Sequence, residues 1–216
     1  MNRNSRFPKT GAFTLIGLLF IIAILAILAV MLLLALAKDK QRAQRINCVN
    51  NLKLVGFAFR VWTRDQTGRY PMAISTNRNG TLEWVEGGNA SRHFQVMSNE
   101  LSTPKILICP SDNRNFANNF NSLKNENLSY FVGLDAEDVR PELLLSGDRN
   151  ITNGLAPKRT ILILPPDRPA GWTEAIHRDQ GNIAFADGTV LSFTTLALRN
   201  ALRKTGDSTN RIALPE

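Results

Sequence analysis

From Ala12 to Ala37 every position except Thr14 and Gly17 is apolar, and no charge falls between Lys9 and Lys38. These 26 residues, at about 1.5 Å each, exceed what a bilayer core about 30 Å thick requires. The run predicts a membrane helix or a long signal segment, and Ala35-Leu36-Ala37 before Lys38 leaves a secretory cleavage site open. The pattern then changes period. Cys48, Leu52, Val55, Phe59 and Trp62 recur at intervals of four, three, four and three, one stripe of a helix. No Pro and a single Gly, Gly56, lie between Ala37 and Trp62. One helix is therefore expected from Phe13 to Trp62, roughly 75 Å long, transmembrane over 13–37 and amphipathic over 38–64.

Gly68 and Pro71 end that helix, and residues 65–216 read as short strands in long loops. The clearest local unit is Asn182–Ala186, Asp187-Gly188, Thr189–Phe193. Asp-Gly between apolar segments predicts a two-residue hairpin with positive φ at both turn positions. It would pair Ala186 with Thr189, Phe185 with Val190, Ala184 with Leu191 and Ile183 with Ser192. Leu82–Val85 and Ile161–Leu164 are further expected strands, the latter stopped by Pro165-Pro166. The fold class that follows is α+β: a long N-terminal helix laid on a small antiparallel sheet.

Composition matters mainly through its distribution. The chain has 216 residues and a formal charge of +8. Eight basic residues against Asp39 and Asp65 lie between Lys38 and Arg69, and Arg3, Arg6 and Lys9 precede the apolar run. What remains carries 15 basic and 16 acidic residues. The excess charge thus belongs to the membrane end, where a basic residue gains on the order of 1 kcal/mol from anionic lipid. No zinc finger, helix-turn-helix or RNP pattern accompanies it, so no nucleic-acid partner is expected. Nor does the sequence carry a nucleophile elbow, a phosphate loop, Gly-x-Gly-x-x-Gly or His-Glu-x-x-His, and no enzymatic activity is expected.

The segment Lys9-Thr10-Gly11-Ala12-Phe13-Thr14-Leu15-Ile16-Gly17-Leu18-Leu19 resembles the leader and mature start of type IV pilins and type II secretion pseudopilins. The resemblance implies a leader at 1–12, removed by a prepilin peptidase between Ala12 and Phe13, with Phe13 as the N-methylated first residue. Cleavage after Gly11 is the alternative register. It further implies a single pass through the bacterial inner membrane, a periplasmic head at 65–216, and other pilin or pseudopilin subunits as partners in a filament. The family places Glu at the fifth mature position, where this chain has Gly17. A lone carboxylate in lipid is costly unless paired, and the pseudopilin without it is typically the tip subunit, so a minor or tip-like subunit is expected. The competing reading is a membrane-anchored or secreted binding protein of the envelope, with a polysaccharide as one candidate ligand.

His177, nine residues and then Asp187-Gly188 resembles the terminal motif of a pilin-like group from planctomycete and verrucomicrobial lineages. Arg45-Ile-Asn-Cys48-Val-Asn-Asn51-Leu-Lys53 and Cys109-Pro-Ser-Asp112 resemble other fragments of that group. Two readings of the motif stand open. His177 and Asp187 form a hydrogen-bonded or metal-binding pair, or Asp187-Gly188 is only a turn with His177 packed nearby; a third metal ligand is not evident. The isolated His93 carries no expected role. Calcium is a second option by resemblance to major pseudopilins, with Asp135, Glu137 and Asp138 as oxygen donors, although no EF-hand loop is present. Cys48 and Cys109, 61 positions apart, are either a bridge worth about 4 kcal/mol by loop closure or two buried thiols, and an oxidising compartment permits the bridge.

Overall fold

A computed structural model describes residues 15–66, 68–157 and 160–216. The expected long helix is α1, Leu15–Asp65, which runs through Gly17 and Gly56 without a break. Contacts divide the chain into two units, residues 1–42 and 43–216. In the first unit the large apolar side chains of α1 are exposed, Leu15, Ile16, Leu25 and Leu33 among them. Such a surface is long and apolar enough to cross a membrane. In the second unit the predicted stripe is core: Cys48, Leu52, Val55 and Phe59 are fully buried and Trp62 nearly so.

The head is built on a six-stranded antiparallel sheet. Its strands are β1 (Tyr130–Gly133), β2 (Leu144–Asp148), β4 (Ile161–Ile163), β6 (Gln180–Phe185), β7 (Val190–Thr194) and β8 (Arg211–Ala213), in the order β4-β8-β1-β2-β6-β7. A two-stranded ribbon pairs β3 (Ile151–Thr152) with β5 (Gly171–Trp172). Three further helices are α2 (Ala90–Gln95), α3 (Ser98–Leu101) and α4 (Thr195–Lys204). Successive side chains of a strand face opposite sides, and here both sides are covered. Tyr130, Val132 and Leu145 join the core containing the α1 stripe, whereas Phe131, Leu144, Ile183 and Ile212 join a second core with Leu198 and Leu202 of α4. The sheet is the middle layer of three, which is why β1 and β2 are buried at every residue.

Two expectations are corrected. Leu82–Gly87 is a 3-10 helix, not a strand. The segment is held against the preceding turn, with Thr81 N–H donating to Pro71 O and Leu82 N–H to Ile74 O, and it ends at Gly88 in the left-handed region. The β6–β7 hairpin forms, but one residue out of the expected register: Ile183 faces Leu191 and Ala184 faces Val190. Phe185 N–H donates to Thr189 O and Gly188 N–H to Phe185 O, which leaves Ala186, Asp187 and Gly188 in a three-residue loop. Gly188 alone has positive φ, +85°, the usual geometry of a type I turn closed by a left-handed glycine. Ala186 is unavailable to Thr189 because it is held from the other side. Its N–H donates to Leu143 O and its carbonyl accepts from the Tyr70 hydroxyl at 2.7 Å.

The ribbon packs closely on the sheet at Gly181, where an added Cβ would lie 2.2 Å from the Trp172 ring. Gly181→Ala must displace that indole or the β6 backbone. We expect it to cost roughly 1–3 kcal/mol, read as a lower midpoint in denaturant unfolding of the full chain in detergent, followed by tryptophan fluorescence.

Candidate functional site

Cys48 and Cys109 are joined in a disulfide between α1 and the loop after the 3-10 helix Pro104–Leu107. Two hydrogen bonds hold that loop to α1, and a third ties β1 to the same helix. Asn51 Nδ2 donates to Ile108 O at 2.9 Å, Gln44 Nε2 to Pro110 O at 3.1 Å, and the Tyr130 hydroxyl reaches Cys48 O at 3.4 Å. The loop turns back on itself at Cys109, with Asp112 N–H donating to Cys109 O. Asp112 then meets Arg149 in a two-pronged ion pair, at 2.7 and 2.8 Å, and accepts from the Ser129 hydroxyl at 2.8 Å. Burial alone would raise its carboxyl, but these hydrogen bonds outweigh burial and hold it below its ordinary value.

His177 completes the site. Its Nε2 lies 3.4 Å from Cys109 Sγ and 3.6 Å from Asp148 Oδ2, with the imidazole almost wholly buried. The ring is delivered by an unusual backbone: His177, Arg178 and Asp179 have φ of 57°, 50° and 59°. A left-handed turn of three non-glycine residues costs roughly 1–2 kcal/mol per residue. Asn150 opposes that cost from both flanks. Its Nδ2 donates to Ile176 O at 2.7 Å and Gln180 O at 3.0 Å, on either side of the turn, and to Thr173 O at 2.8 Å. Arg45 of α1 hydrogen-bonds the Gln180 side chain.

Asp148 is fully buried at the end of β2. Its Oδ2 accepts from Asn182 N and Nδ2 at 2.7 and 2.8 Å, while Oδ1 has no partner. Burial pushes the carboxyl up to about 7, against the two Asn182 hydrogen bonds. Burial also pulls the His177 imidazole down to about 4. Because desolvation penalises charge on both groups, the pair near pH 6 is a neutral acid beside a neutral imidazole.

Of the two readings left open for the motif, the His177–Asp187 pair is not formed, and Asp187-Gly188 belongs to the hairpin turn. The two residues flank β6, whose six residues separate its ends by roughly 20 Å at strand rise. Asp187 instead accepts from Thr189 N and Oγ1, both at 2.7 Å, inside the hairpin loop, and its carbonyl accepts from Arg60 at 2.8 Å. The nine-residue spacing is therefore the length of one strand with a specialised turn at each end. Of the three calcium donors, Asp135 is gripped by Arg211 at 2.6 and 3.0 Å and accepts from Arg211 N at 2.9 Å, while Glu137 and Asp138 are exposed. His93 is buried with Nδ1 2.7 Å from Thr81 Oγ1. Gly17 lies within α1, and Gly11, Ala12 and Phe13 fall outside the described residues.

Sequence reasoning did not find Asp148, Asn150 or Asn182. Gly-Asp-Arg-Asn at 147–150 has turn composition, and only the fold brings it beside His177. Compared with family models, with curated proteins and with solved structures, the chain matches none.

The Asp148 carboxyl is raised in the folded state, so the unfolded chain loses this proton first as pH rises above about 4. Its burial cost accordingly grows between pH 4 and 7 and is fully present above 7. Asp148→Asn removes that charge and keeps an amide oxygen to accept from Asn182. We expect the variant to gain roughly 2–4 kcal/mol over the parent at pH 8 and little at pH 4, measured by urea unfolding of both disulfide-bonded proteins across that range.

Proposed function

We propose that this protein is a pilin-like or pseudopilin subunit that assembles through its N-terminal helix, in a minor or tip-like position. The observation that carries the reading is α1 itself. Its first unit exposes apolar side chains on all faces, suited to lipid before assembly and to neighbouring helices after it. Its second unit is two-sided: opposite the buried stripe, Ile46, Leu54 and Phe57 stay at least half exposed, interleaved with Lys53 and Arg60. A helix buried on one side by its own head and apolar on the other is suited to packing against further copies or relatives. In this reading the subunit waits in the inner membrane with its head in the periplasm, and the work it does is mechanical.

The first test is the mature N-terminus of the protein from its native host, by intact mass and peptide mapping. A methylated Phe13 is expected. A chain beginning at Lys38 or at Met1 overturns the filament reading in favour of a secreted or plainly anchored protein. Leu25→Asp places a charge in the apolar run at a cost of about 3 kcal/mol or more, and we expect it to abolish incorporation into sheared filaments.

One observation favours a second reading, an envelope protein that binds a saccharide. A cleft of about 600 Å³ opens beside the end of α1, lined by Trp84, Asn79, Asn99, Asp65 and Glu100. Trp84 is 41% exposed and has Arg92 stacked 4.9 Å from its ring centre. An aromatic plate ringed by amides and carboxylates suits the apolar faces and hydroxyls of a sugar. If this cleft binds, soluble envelope polysaccharide should quench Trp fluorescence in the full chain, and Trp84→Ala should lose at least about tenfold in affinity; no saturable quenching sinks the reading.

A further inference from the structure

The geometry points to a second closed form of the bridge: when Cys48 and Cys109 are reduced, they join His177 in a three-ligand site for a borderline-soft divalent cation, zinc above all, with the Asp148 carboxyl beside the fourth position. The sulfurs of Cys48 and Cys109 and a ring nitrogen of His177 lie within 4.8 Å of one another. Zn–S of about 2.3 Å and Zn–N and Zn–O of about 2.0–2.2 Å give tetrahedral edges of about 3.6 Å for N–S and about 3.4 Å for N–O. The protein holds His177 Nε2 3.4 Å from Cys109 Sγ and 3.6 Å from Asp148 Oδ2. The spacings from His177 to Cys109 and to Asp148 are thus of tetrahedral size while the disulfide is intact, and reduction frees the two sulfurs to part.

Independent support comes from Asp148. It is a wholly buried carboxylate with one oxygen lacking any partner, a costly arrangement for a group that serves only packing. The oxygen that faces His177, Oδ2, is the one oriented by two Asn182 donors, and Asn182 Oδ1 is itself fixed by the Ser192 hydroxyl at 2.6 Å. Such outer hydrogen bonds are what hold metal-ligating side chains in position. The strained turn that delivers His177 has the same character, being fastened by Asn150 on both flanks. Two thiolates and an imidazole select zinc over the hard cations magnesium and calcium.

The exchange balances simply. A dithiol delivers two electrons and two protons to the Cys48–Cys109 bond and leaves as its own disulfide. Each cysteine thiol then releases its proton to solvent as its sulfur bonds the cation. The site consequently closes by a covalent bond where thiols are oxidised and by a metal where they are kept reduced, including in a newly made head before oxidation.

The test uses the full chain in detergent, unfolded with a dithiol, freed of it under argon, and refolded with zinc alone, with cobalt(II) alone, or with neither. One zinc per chain is expected, with native circular dichroism, and cobalt should show thiolate charge-transfer absorption with tetrahedral ligand-field bands. His177→Ala and Asp148→Asn should each weaken zinc binding by roughly tenfold or more, and Cys48→Ser with Cys109→Ser should abolish it. The oxidised chain should take up none. Failure of the reduced chain to bind or refold with zinc overturns the proposal. Unchanged affinity in both His177→Ala and Asp148→Asn overturns it too, since the thiols alone would then account for uptake.

Discussion

The bond between Cys48 and Cys109 is the constraint on which the head's arrangement depends. It ties the amphipathic half of α1 to a loop 61 residues later, an entropic advantage of about 4 kcal/mol by loop closure. Its influence extends past that figure because polar groups are arranged around it. Asn51 and Gln44 fix the loop to α1, Asp112 carries the loop to Arg149, and residue 149 lies between Asp148 and Asn150. Asp148 and Asn150 in turn receive and hold the His177 turn. A chain of contacts therefore runs from helix to loop to sheet and back to the sulfur. Removing one buried member leaves its partners unsatisfied, which is where polar networks become expensive.

Much of this fold was legible in the sequence because helices and hairpins announce themselves locally. The 3.6-residue recurrence from Cys48 to Trp62 needs no knowledge of the sheet it packs on. Asp187-Gly188 likewise marks a turn wherever it occurs. The register failed because it was decided elsewhere, by Leu143 and Tyr70 competing for Ala186. Strands β1 and β2 escaped detection for a related reason. A strand with a core on each face shows no alternation, and Tyr130–Gly133 and Leu144–Asp148 are short runs that periodicity alone cannot assign.

The site was half legible. Two cysteines and a histidine can be singled out by residue type, and their association in fragments of resemblance drew attention to them. What the sequence could not convey was which partner His177 meets. Ten positions along the chain suggest proximity to Asp187, but the intervening residues form an extended strand, and extension separates what sequence brings near. Asp148 is 29 positions away and arrives by sheet pairing, since Gly147 faces Ile183 across β2 and β6. A lone Asp after Gly reads as a solvated turn until the fold shows it without solvent.

The two units of the molecule differ in what their surfaces require, and that division governs how each reading can fail. The exposed apolar run can be satisfied by lipid or by other helices, and nothing in the head's core requires it. The head's core, by contrast, is complete within residues 43–216: the α1 stripe, both sheet faces and the disulfide lie inside that unit. A charge at Leu25 should therefore leave the unfolding of the head unchanged while removing whatever assembly the helix supports. A lesion at Asn150, which fastens the His177 turn, should do the reverse, loosening the head while leaving the apolar run intact. An assembly defect in the first and a stability defect in the second, each without the other, is what separates a filament subunit with a built head from a protein whose apolar run serves only to tether it.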